Sequence, residues 1–174
     1  MKFAISQELG KKAKVPHEIF LTNLIGNHIL WFVAALGMVG TFWYPLALVP
    51  IVSLATLLYI LWRAQRSKQV DEWYVMCHWQ VAARRSRIFL LMLLATLLVA
   101  TLGWVGYAYL GMMKVMVIAL VAGVGILPVM ATVLVLIVME SDILHQASQH
   151  RLPGGVVERF PPPEGVERVT EGGA

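Results

Sequence analysis

The chain has 174 residues, of which 59% are hydrophobic and only 14% are charged, whereas a soluble domain averages about 25% charged residues. A chain this short cannot hide so much apolar surface in one aqueous core, so the composition excludes an ordinary soluble domain. The formal net charge of +4 does not indicate a nucleic-acid-binding surface, because acidic residues share the segments that hold the basic ones.

The charged residues are confined to a few blocks of the chain. Residues 19–62, 88–113 and 115–139 contain none, and a helix needs about 20 apolar residues to cross the hydrocarbon core of a bilayer. The second and third of these segments hold one span each, and the first is long enough for two. The sequence therefore predicts an all-α integral membrane protein, a bundle of four transmembrane helices.

The first predicted elements are a polar N-terminal segment, residues 1–18, and a membrane domain that covers residues 19–140. The polar start is not typical of a secretory signal peptide. Spans are predicted at about residues 21–41 and 46–62. A turn at Phe42-Trp43-Tyr44-Pro45 separates them, with aromatic residues at the membrane interface, where they are favoured.

A cytoplasmic connector, residues 63–87, is predicted to be helical and amphipathic. One helical face of it carries an apolar series with the spacing of a helix, namely Val70, Trp73, Tyr74, Cys77 and Val81. Trp73, Tyr74 and Cys77 are thus candidates for a surface that lies on lipid or on a partner. The alternative is a helical extension of the third span that packs on its own bundle.

A basic cluster ends the connector, with Arg84, Arg85 and Arg87 immediately before the third span. Such clusters attract anionic lipid head groups, although simple flanking of a span by basic residues is more common. The third and fourth spans are predicted at residues 88–110 and 115–139. The remaining residues, 141–174, are rich in proline and glycine and are predicted to form a disordered cytoplasmic tail.

The orientation follows from the basic residues, because Lys114 is the only one of the 14 that lies on the far side of the predicted spans. Lys and Arg in short loops favour the cytoplasm. The sequence therefore predicts a multi-pass protein of the bacterial cytoplasmic (inner) membrane with both termini in the cytoplasm. The single cysteine, Cys77, cannot form an intramolecular disulfide.

Three polar residues within the first span are the main candidate site. Asn23, Asn27 and His28 would be costly in lipid, and such groups usually face the bundle interior. His28 could ligate a haem iron, relay a proton or hydrogen-bond to another helix. The other four histidines lie outside the predicted spans, so hydrogen bonding is favoured over haem, and no cofactor is predicted.

The remaining histidines and carboxylates form no pattern of metal ligands. His145 and His150, near Asp142 and Glu140, lie on different faces of a helix, so a solvated helix end is expected there and not a zinc site. No metal site and no catalytic set is predicted. Small residues at helical spacing predict close helix packing, within the bundle or in a dimer. They are Gly37 and Gly40 in the first span and Gly103 and Gly106 in the third.

These features favour a non-enzymatic accessory, assembly or scaffolding subunit of a larger membrane complex. Its expected partners are the lipid bilayer and other membrane subunits or further copies of the chain. Two alternatives remain: a small redox or cofactor-binding subunit that uses His28, and a small oligomeric transporter or channel. The transporter alternative is weakened because ion pathways usually carry ionisable groups inside the spans.

Overall fold

A computed structural model describes residues 1–42, 44–166 and 168–169 of the chain, and about 82% of it is helical. Four long helices dominate: α1 (Gln7–Met38), α2 (Tyr44–Val70), α3 (Trp73–Tyr109) and α4 (Lys114–Ser148). Each is long and apolar enough to cross a membrane. The prediction of four long apolar helices is therefore confirmed.

Local sequence explains where the helices begin and end. The Ser6 hydroxyl caps α1 by accepting a hydrogen bond from the Leu9 backbone N–H, which satisfies one of the free donors of the first turn. At the other end of α1, the Phe42 N–H bonds the Met38 carbonyl at 2.8 Å. Gly111 has a φ of +69° in the turn between α3 and α4, a conformation that glycine adopts without steric cost.

One end of the bundle projects beyond the apolar spans. At 1.5 Å per residue the 37 residues of α3 extend about 55 Å, whereas a hydrocarbon core is about 30 Å thick. We call this projecting part the polar end. It contains the first half of α1, the start of α3 and the last turns of α4, joined by the short elements of the termini: a strand β1 (Lys2–Phe3), a helix α5 (Gly154–Arg159) and a strand β2 (Arg168–Val169).

The predicted disorder of residues 141–174 is wrong for the part that the structure describes. Residues 141–148 continue α4, and β2 pairs antiparallel with β1, with Lys2 opposite Val169. Leu152 and Val157 are buried in a cluster with Phe3, Ala13, Tyr74 and Cys77. The segment has few apolar residues, but each completes a cluster whose other members are distant in sequence. Glu167 and residues 170–174 lie outside the described residues.

The predicted connector, residues 63–87, is built from extensions of two helices. α2 continues to Val70, residues 71 and 72 break the helix, and α3 begins at Trp73. Tyr74 and Cys77 are buried and Trp73 is partly buried against their cluster, so of the two alternatives the structure shows the one in which this segment extends the third span and packs on its own bundle. Val70 does not share that face, because it ends α2 and is exposed.

The opposite end of the bundle, which we call the far end, is thinly packed. It consists of residues 32–42 and 107–120, which hold the last residues of α1 and α3 and the first residues of α4. The Phe32–Met38 segment of α1 buries only Ala35, and the Lys114–Leu120 segment of α4 buries no residue within the described chain. The main apolar core lies nearer the polar end, where all four helices contribute, and it includes Phe20, Leu24, Leu57, Ile60, Phe89, Val133 and Leu136.

Candidate functional site

The polar residues predicted in the first span form a hydrogen-bonded network between α1 and α2. They lie in a π-helical stretch of α1, Thr22–Trp31. Such stretches are uncommon in proteins, and those that occur are often found at functional sites. The Asn23 amide donates to the Ser53 hydroxyl at 3.2 Å. The Asn27 amide donates to the Asn23 carbonyl oxygen at 3.2 Å and to the Val49 backbone carbonyl at 2.8 Å. We call this set the intramembrane network.

His28 belongs to the same network. Its Nε2 lies 2.9 Å from the Ser53 hydroxyl, and its ring centroid lies 4.8 Å from that of Phe89 on α3. The imidazole is buried and connects α1 to both neighbouring helices. The structure thus places His28 in contacts between helices of the same chain. Haem ligation by His28 stays the alternative that the sequence disfavours.

A groove of about 650 Å³ runs beside the intramembrane network, between α1 and α2. Its α1 wall includes Ile19, Gly26 and Trp31, and its α2 wall includes Leu48 and Val52. The polar residues that line it are Glu18, Thr22, Asn23, Asn27 and Thr56. Glu18 is exposed, and it immediately precedes the charge-free residues 19–62.

A second network lies inside the polar end and was not predicted. One carboxylate oxygen of Glu140, on α4, lies 2.6 Å from His17 Nδ1, and the other accepts a 2.9 Å hydrogen bond from Arg85 Nη1. The other ring nitrogen of His17 lies 3.0 Å from Nδ1 of His78. Glu140, His17 and His78 are fully buried, and the Arg85 side chain is 13% exposed. We call these four residues the polar-end network.

The protons of the polar-end network can be assigned from its hydrogen bonds. The Glu140 carboxylate accepts, so His17 donates through Nδ1–H. With both rings neutral, His17 Nε2 then accepts from His78 Nδ1–H. His78 Nε2 is left buried, without a proton and without a partner among the described residues. A proton placed on that nitrogen would be a buried donor without an acceptor.

Two expectations about these residues are corrected. Glu140 does not belong to a solvated helix end, because it is fully buried and doubly paired. Arg85 does not point to lipid, because it donates to Glu140 and to the Met139 carbonyl at 2.9 Å. Arg84 and Arg87 are exposed, as a lipid-facing cluster requires. Sequence periodicity could not find the network, since its members come from three helices.

The predicted packing glycines behave differently from one another. Gly103 of α3 lies against α4, where a Cβ would be 3.0 Å from the Val117 side chain, and at Gly106 a Cβ would collide with the Met112 sulfur. Gly37 and Gly40 face open space. Gly37 and Gly40 thus pack on no neighbour within the described chain, and the alternative that they pack in a dimer stays a prediction.

The described residues contain no group of three or more His, Cys, Asp or Glu that could hold a metal ion. Comparison of the chain with family models, with curated proteins and with solved structures finds no match. The two networks, the groove and the thinly packed far end are therefore the features on which a functional interpretation depends.

Proposed function

We propose that the chain is a non-enzymatic accessory, assembly or scaffolding subunit of a larger membrane complex, and that its far end is the surface that meets the partner. The observation that carries this proposal is the absence of buried residues in the Lys114–Leu120 segment of α4 among the described residues. The neighbouring Phe32–Met38 segment of α1 buries only Ala35. Most residues of both segments are exposed and available to other helices.

Gly37 and Gly40 support the same surface. Helices associate in lipid mainly through van der Waals packing, and small residues let two backbones approach closely. A Cβ at either position would meet no atom of the described residues within 4 Å. The two glycines therefore offer a flat strip to a second helix without a role in the packing of their own bundle.

The chemistry of the polar-end network also favours a non-enzymatic role. A general acid or base must come within hydrogen-bond reach of its substrate. His17, His78 and Glu140 are the titratable groups brought together here, and all three are fully buried and contact one another. Their contacts connect α1, α3 and α4, which suits a rigid platform that holds the spans in place.

Leucine substitutions test this proposal. Gly37→Leu and Gly40→Leu add bulk where the chain has room for it, so the monomer should fold normally. Ala95→Leu is the matched control, since Ala95 is also exposed but lies midway along α3. Membranes from cells that express each variant are extracted in mild detergent, and the size of the complex is compared by native electrophoresis.

We expect a species larger than the monomer in the wild type and in Ala95→Leu, and a shift toward the monomer in both glycine variants. Mass measurement of the large species separates a complex with other subunits from self-association of this chain. A monomeric wild type, or glycine variants that assemble as the wild type does, would contradict the proposal.

We further propose that the protein resides in the bacterial inner membrane with both termini in the cytoplasm, as the basic residues indicate. Single cysteines at two exposed lysines, Lys11→Cys and Lys114→Cys, test the orientation in a Cys77→Ala background. A membrane-impermeant maleimide should label the cysteine at position 114 from outside the inner membrane. It should reach the cysteine at position 11 only in inverted vesicles, and the reverse pattern would overturn the orientation.

A further inference from the structure

The groove between α1 and α2 has a volume of about 650 Å³, within the range of about 300–1,000 Å³ that is usual for ligand sites. It is independent of the far end, because its lining residues lie between Glu18 and Trp31 on α1 and between Leu48 and Thr56 on α2. Its walls include apolar side chains, among them Ile19, Leu48 and Val52, while the lining residues Asn23 and Asn27 are buried.

The hydrogen-bond donors along the groove are already engaged inside the protein. The Thr22 and Thr56 hydroxyls donate to the Glu18 and Val52 backbone carbonyls at 2.8 and 2.9 Å. The Trp31 indole N–H donates to the Pro45 carbonyl at 3.0 Å. The amides of the two asparagines donate within the intramembrane network. The groove is therefore better suited to an apolar chain than to a ligand that seeks donors.

The Glu18 carboxylate differs from the other polar groups of the groove. It is exposed and takes part in none of the ion pairs formed between described residues. Its position at the start of the charge-free residues 19–62 places it at the level of lipid head groups rather than within the hydrocarbon. An ionised carboxylate only accepts hydrogen bonds and carries a negative charge, so it favours a hydrogen-bond donor that is also cationic.

We propose that this groove binds a phospholipid whose head group ends in a primary ammonium, of the phosphatidylethanolamine type. The ammonium donates to the Glu18 carboxylate at the membrane surface. One acyl chain lies along Ile19, Leu48 and Val52 toward Trp31, and the phosphate faces water. A quaternary ammonium lacks the N–H donors, and an anionic head group is repelled by Glu18.

The test uses the full chain purified in detergent, with phosphatidylethanolamine, phosphatidylcholine and phosphatidylglycerol that carry identical acyl chains. Retained lipid is counted by native mass spectrometry, and thermal unfolding is recorded with each lipid added. We expect retention of phosphatidylethanolamine about two- to fivefold above the other two, the preference that one exposed charge pair supplies. Equal retention of the three lipids would overturn the proposal.

Two variants separate the head-group site from the chain site. Glu18→Gln should reduce the retention of phosphatidylethanolamine to that of phosphatidylcholine. Gly26→Leu should reduce the retention of every lipid, because it fills the groove, where a Cβ at Gly26 would meet only the Thr22 methyl at 3.9 Å. Gly123→Leu is the matched control, since it adds the same side chain on α4 where a Cβ meets nothing. A head-group preference that persists in Glu18→Gln, or Gly26→Leu retention equal to the control, would show that the lipids bind elsewhere.

Discussion

Replacement of Glu140 tests whether the polar-end network holds the bundle together. The carboxylate accepts from His17 at 2.6 Å and from Arg85 at 2.9 Å, and hydrogen bonds to charged groups contribute about 1.5–3 kcal/mol each. Glu140→Leu removes both and leaves a guanidinium and a histidine N–H facing an apolar side chain. Loss of one partner of a buried ion pair costs about 3–5 kcal/mol, and we expect a value in this range.

Glu140→Gln should cost less, for a reason that the hydrogen-bond pattern supplies. An amide of the same shape still accepts through its oxygen, but its NH₂ group meets one of the two former donors. His17 can respond by adopting its other tautomer, in which Nδ1 accepts from the amide and Nε2–H donates to His78 Nδ1. His78 then carries its own N–H on Nε2, the nitrogen without a partner. We therefore expect the cost of Glu140→Gln to lie between about 1 kcal/mol and that of Glu140→Leu.

The assay is equilibrium unfolding of the purified protein in detergent, with Asp142→Asn as the control. Asp142 lies on the same helix but is exposed, so its replacement should change the unfolding free energy by no more than about 0.5 kcal/mol. Because Arg85 and Glu140 form one pair, Arg85→Met combined with Glu140→Leu should cost less than the two single changes added together. A cost below about 1 kcal/mol for Glu140→Leu, or strict additivity, would refute the structural role of the network.

Three further predictions concern the polar end. Cys77 is fully buried, so maleimides should label it only after denaturation, in intact and in opened membranes alike; rapid labelling of the folded protein would contradict its burial. Val157→Asp introduces a charge into the cluster that α5 completes and should destabilise the polar end by about 2–5 kcal/mol. The effect is measured as faster proteolysis of the polar end. Glu158 lies on the same helix but is exposed, so Glu158→Gln should change the proteolysis rate little. The hydrogen bonds from Arg63, at 2.7 and 2.9 Å, hold the pKa of Asp71 below its usual value. Their stabilisation of the folded protein is therefore present above the unfolded pKa of about 3.9, and it is lost as the pH falls through the folded pKa. The stability difference between the wild type and Asp71→Asn should accordingly shrink in acid, and a difference that does not change with pH would exclude this pair as its source.

The four long helices could be predicted because the signal for them is local. Lipid excludes charge and requires each spanning segment to satisfy its own backbone hydrogen bonds, so the charge-free residues 19–62, 88–113 and 115–139 mark the apolar part of each long helix. The polar residues Asn23, Asn27 and His28 were identified for the same reason, since polar groups are conspicuous in such a segment. Their partners, Ser53 and the Val49 carbonyl, were not, because a single serine is ordinary in an apolar helix and every residue carries a backbone carbonyl.

Local signals in the sequence indicated the four long apolar helices and the polar residues within the first of them, whereas the contents of the polar end depend on the tertiary structure. His17 meets a carboxylate 123 residues away and a second histidine 61 residues away, and these separations carry no periodic signal. Leu152 and Val157 likewise acquire their environment from Phe3 and Cys77. A composition that is too polar to fold alone becomes ordered when a neighbouring surface supplies the remaining apolar contacts, because burial depends on the whole cluster and not on the segment that contributes to it.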